Sequence, residues 1–134
     1  MTSRKQVLMD GALSGAISGE VISLLHRYTG REPTQARTFV HDNLIFCLLG
    51  DTVTEAEQSL VTGGDYASLL DTRSLFQHTM RADLTEAVER LSGRRVIAFM
   101  SQTHVDPDFG VEAFVLEPVE ALPNARATVY PPAA

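Results

Sequence analysis

Arg73 falls in the middle of an apolar helical stripe. A helix is expected over about Tyr66 to Leu91. Counting from Leu69 at about 100° per residue, Phe76, Met80, Leu84, Ala87 and Leu91 share its apolar face, with Arg73 at the centre. A guanidinium stays charged at any physiological pH. If this face packs into a core, Arg73 needs a carboxylate or carbonyl oxygens beside it, because a buried charge without a partner is strongly destabilising. Glu20 and Glu57 are the candidate partners. The same arginine could instead grip an anionic group in a pocket between sheet and helix, or at a dimer seam.

The surrounding pattern is that of one α+β domain. An amphipathic helix is expected from about Ala12 to Tyr28, with Leu13, Ile17, Val21, Leu24 and Tyr28 on one face and Glu20 on the same stripe. Thr29-Gly30 supplies a left-handed stop and Pro33 prevents resumption. Strands are expected at Ala36–His41 and Leu44–Leu49, joined by a two-residue turn at Asp42-Asn43. The second strand is apolar at every position, which places it inside the sheet with both faces covered. Thr54 and Glu57 form a capping box that starts a short helix running to about Val61. Gly63-Gly64 ends it and Asp65 caps the long helix, which Gly93 terminates. A second hairpin follows, Val96–Thr103 and Val111–Glu117, around the loop Asp106–Gly110.

The expected order is therefore α-β-β-α-α-β-β, a four-stranded antiparallel sheet with helices packed on it. Residues 1–11 are expected to form a flexible N-terminus, residues 12–118 the single domain, and residues 119–134 a loosely ordered tail containing Pro123, Pro131 and Pro132. A length of 134 residues suits one core. Cover for the second sheet face points to a partner subunit, with a homodimer the simplest supply.

Composition narrows the functions. A net charge of −6 argues against nucleic acid or acidic lipid as partners. No apolar run reaches the roughly 18 residues of a membrane span, so direct membrane insertion is not expected. Neither is a secretory leader, and cytoplasmic localisation is the expectation. Cys47 is the lone cysteine and excludes an intrachain disulfide. Its apolar strand predicts a buried, inert thiol.

Several polar groups read as structural. His104, Asp106 and Asp108 alternate in a metal-ligand composition, but Pro107 and Gly110 mark a turn, so no metal is assigned. His41 and Asp42 are adjacent, and strand alternation would send their side chains to opposite sides. Arg31 and Arg37 flank a basic turn that reads as a helix stop with exposed charges. Its alternative use is an anion site shared with a partner. Gly63-Gly64-Asp65 lacks the lysine and preceding strand of a phosphate loop. No catalytic constellation and no cofactor motif is read.

Several runs resemble a small bacterial family, the MpsC-like group. They are Gly30-Arg31-Glu32-Pro33 with Ala36-Arg37-Thr38, Asp42 with Leu44-Ile45, and Thr54-x-x-Glu57-x-x-Leu60. Arg73, Val88-Glu89-x-Leu91-x-Gly93, Asp106 and Phe114-Val115-Leu116 continue the likeness, which covers roughly residues 12–118. Glu32 departs from it, standing where the family pattern favours a second glycine. The resemblance implies a small accessory or regulatory protein of a sodium-translocating, membrane-potential-generating system, with a membrane protein as partner. It implies no catalytic residue. The combined expectation is a non-enzymatic interaction module. The alternative is a small enzyme or anionic-ligand-binding domain built around Arg73, Glu20, Glu57, Arg31 and Arg37.

Overall fold

The computed structural model describes residues 4–118, with side chains from Met9 onward. Its elements are α1 (Arg4–Thr29), β1 (Gln35–His41), β2 (Leu44–Gly50), α2 (Glu55–Thr62), α3 (Tyr66–Ser92), β3 (Val96–His104) and β4 (Phe109–Leu116). The order is the expected α-β-β-α-α-β-β. The expected flexible start overlaps α1, which begins at Arg4 rather than near Ala12. The tail from residue 119 lies outside the described residues.

Local chemistry sets the boundaries. Gly30 (φ 75°) takes the left-handed conformation after α1, and its amide donates to His26 O at 2.9 Å. The capping box is present at α2: the Glu57 amide donates to Thr54 Oγ1, and the Thr54 amide donates to Glu57 Oε1. Gly93 (φ 67°) closes α3. The second hairpin turns within residues 105–108 and pairs His104 with Phe109. β4 therefore starts two residues before the expected Val111.

The two hairpins form one antiparallel sheet in the order β1-β2-β4-β3. α1 and α3 pack together on one face. Ile17, Val21 and Leu24 of α1 meet Met80, Leu84 and Val88 of α3 over Ile45, Cys47, Leu49, Phe114 and Leu116. A smaller cluster of Val53, Leu69 and Val105 lies under the loop before α2.

β2 is interior to the sheet, as its composition predicts, but the described chain covers only one of its faces. Phe46 is 45% exposed and Phe39, opposite it on β1, is 50% exposed. Ile97, Met100 and Phe109 are also exposed. Among the described residues nothing covers the second hydrophobic face of this sheet.

Phe114 sits at the centre of the covered face, 1% exposed and 5.0 Å from the Phe99 ring. Phe114→Ala is expected to cost about 3–5 kcal/mol in urea unfolding. Leu75→Ala, at a site 67% exposed, should change stability by less than about 0.5 kcal/mol.

Candidate functional site

Arg73 is 7% exposed on the core side of α3, where helical periodicity places it. Its partner is Glu57 from the first turn of α2. Arg73 Nε donates to Glu57 Oε2 at 2.5 Å, and Nη2 donates to Glu57 Oε1 at 2.9 Å. Nη2 also donates to the Thr52 carbonyl at 2.6 Å. This is the two-pronged fork that suits guanidinium to carboxylate. Glu57 is itself only 4% exposed. Its Oε1 accepts from both the Thr54 amide and Arg73, so one carboxylate completes a helix cap and neutralises a buried cation.

The acceptor loop is held from the second hairpin. Asp108 Oδ1 accepts from the Thr52 amide and hydroxyl, and Oδ2 accepts from the Val53 amide at 2.9 Å. His104 Nδ1 lies 2.7 Å from Pro107 O. These two residues therefore serve the turn and the loop it supports. Among the described residues no three His, Cys, Asp or Glu side chains gather as a metal site.

Between Arg73 and the sheet lies a cavity of about 10 Å³, at the lower limit for one water molecule. Thr29, Thr52, Arg73, Gln77, Thr103 and Glu112 supply its polar lining. Glu112 projects from the covered face of β4 and is 5% exposed. Its Oε2 has no hydrogen-bond partner, and neither has Ser101 Oγ, opposite it on β3. Burial pushes the Glu112 carboxyl up to about 7, while the nearby Ser101 hydroxyl, short of a full hydrogen bond to it, and the Arg73 charge pull it down. A wider, shallow depression of about 500 Å³ lies among exposed α2 residues such as Glu55 and Gln58. It contains none of the buried polar groups.

The remaining candidates do not converge on Arg73. Glu20 pairs instead with Arg90, at 3.2 Å and substantially exposed. It stands at the edge of the α1 stripe, where that helix meets α3. Arg31 Nε donates to the Asp51 carbonyl at 2.9 Å, and Thr34 bonds the Asp51 side chain. Arg37 projects from the open face of the sheet, its guanidinium 5.4 Å above the Phe39 ring. Cys47 is fully buried, and burial raises its thiol above the usual range, so it is held protonated. His41 Nε2 and Asp42 Oδ2 do meet, at 3.4 Å, contrary to the strand-alternation argument. Asp42 has φ 51° and has already left the strand. Both side chains are exposed.

Sequence reading missed two buried polar residues of the site, Thr52 and Glu112. Strand periodicity carried part of the signal for Glu112: Gly110, Glu112, Phe114 and Leu116 alternate with Val111, Ala113 and Val115. That alternation puts Glu112 on the same face as Phe114 and Leu116; which of the two apolar faces is covered comes from the packing of α1 and α3.

Fold and site together define a two-layer α+β domain organised by a buried Arg–Glu clasp. The chain belongs to the family described as the Na+-translocating membrane potential-generating system (MpsC), whose model matches residues 9–118. Neither a curated protein nor a solved structure matches it.

The raised Glu112 carboxyl has a definite linkage sign. The folded state holds this proton more tightly than the unfolded chain, where the ordinary value is 4.5. Its contribution therefore favours folding below about pH 4.5 and is lost as pH rises to about 7. Glu112→Gln should flatten the stability profile over that window. At pH 8 it should raise stability by on the order of 3 kcal/mol, read by urea unfolding across pH.

Proposed function

We propose that this chain is a non-enzymatic, homodimeric interaction module. It works in the cytoplasm as an accessory or regulatory part of a Na+-translocating membrane system. Support for the setting comes from the family description. Among the described residues no helix is long and apolar enough to cross a membrane, so ion movement is assigned to a partner polypeptide.

The observation that carries the reading is the open sheet face. Phe39, Leu44, Phe46, Ile97, Met100 and Phe109 are all exposed, and Leu48, Val111 and Val115 extend the same surface. Among the described residues, Arg37 carries the one fixed charge at an outward strand position. In a chain of net charge −6, this concentration of apolar area marks a contact surface. The Arg73 cavity supports a ligand-binding role less well. Two of the three guanidinium nitrogens are already bonded to Glu57 and Thr52, and the space beside them holds one water at most.

Light scattering should give a mass of two chains, with Phe46→Asp monomeric and still folded. Vesicles from cells lacking the chain should build a smaller Na+-dependent potential. The wild-type chain should restore it and Phe46→Asp should not. A monomeric wild type, or equal restoration by both, contradicts the proposal.

A further inference from the structure

The two central columns of the open face, on β2 and β4, are complementary in size about one particular axis. We infer that a second copy of this chain packs face to face on the sheet, about a two-fold axis parallel to the strands and running between β2 and β4. The inference rests on the homodimer reading and specifies its geometry.

The strand register fixes the rows on this face. One row runs Phe39, Phe46, Ala113, Met100 from β1 to β3. The next runs Arg37, Leu48, Val111, Gln102. A third begins His41, Leu44, Val115. Sheets that pack face to face lie about 10 Å apart and interleave their side chains. A two-fold parallel to the strands sets β2 over β4 of the second copy and keeps each row at its own height. Phe46 then faces Ala113 of the second copy, large on small, and this contact occurs twice. Leu48 faces Val111, and Leu44 faces Val115.

The competing two-fold, in the sheet plane but across the strands, sets β2 over β2 with the rows reversed. With that axis midway between the first two rows Phe46 meets Leu48 and Ala113 meets Val111, and with it on the first row Phe46 meets Phe46 and Ala113 meets Ala113, so either height crowds one contact and starves the other. It would also bring the two Arg37 guanidinium groups together along one edge. The parallel axis leaves them at opposite edges, where water reaches both.

The area suits a second copy. Four strands at about 4.8 Å spacing and seven residues at about 3.3 Å give a face of about 440 Å² in projection. Side-chain relief raises this to roughly 600 Å² per copy, so a pair buries on the order of 1,200 Å², the lower bound for a stable specific dimer. A foreign partner would not need a surface that matches itself.

Cross-linking of cysteine variants on the exposed edges tests the axis. Phe39→Cys and Met100→Cys chains carrying different tags are co-expressed, purified, and treated with a short bismaleimide. Phe39 and Met100 are about half exposed, so both variants should fold, and the buried Cys47 stays in place. The inferred axis predicts cross-linked product only between Phe39→Cys and Met100→Cys, and none from either variant alone. It also predicts that Ala113→Phe weakens the dimer by about tenfold or more, and that Phe46→Ala in the same chain largely restores it. Self-cross-linking of Phe39→Cys alone overturns this axis and leaves the homodimer reading standing. So does a dimer with no cross-link between these positions. A monomer by light scattering overturns both.

Discussion

The buried clasp between Arg73 and Glu57 is the constraint on which the upper half of the domain depends. A guanidinium under the surface cannot shed its charge, so the fold must deliver a carboxylate and a carbonyl to it. Both come from the connection between β2 and α3. Glu57 is supplied by the first turn of α2 and Thr52 by the loop before it. Asp108 at the tip of the second hairpin holds that loop through the Thr52 and Val53 amides. One charge thereby ties α2, α3, the inter-hairpin loop and the far turn into a single unit.

The clasp also explains the electrostatics of the cavity beside it. Arg73 is already matched by Glu57, so it offsets only part of the burial penalty on Glu112. Burial therefore still holds that carboxyl up at about 7. Two glutamates close to one arginine thus differ in surroundings: Glu57 is bonded to it, whereas Glu112 keeps a buried oxygen without a partner.

Much of this was legible in the chain. The α-β-β-α-α-β-β order follows from periodicity and punctuation, since Gly30, the Thr54/Glu57 box, Asp65 and Gly93 act locally. Burial of Arg73 follows from its place on the stripe. Choosing Glu57 over Glu20 did not, because that depends on how α1 and α2 sit against α3. Glu20 lies on the flank of its stripe, close enough to Arg90 to pair outside the core. The two-residue alternation of β4 sets Glu112 on one face with Phe114 and Leu116, but with Val111, Ala113 and Val115 on the other it does not say which face the helices cover. The doubly apolar β2 correctly announced two hydrophobic sheet faces. The pattern does not specify what meets the second face, which no described residue covers.

The most direct test of the central claim is a double-mutant cycle on the clasp. Arg73→Met, Glu57→Gln and the double variant are compared with wild type by urea unfolding at neutral pH. Glutamine keeps an oxygen for the Thr54 amide and so spares the cap. A buried, geometrically matched pair predicts a coupling energy of about 2 kcal/mol or more, with the double variant far less damaged than the sum of the singles. Additivity within about 0.5 kcal/mol would contradict it.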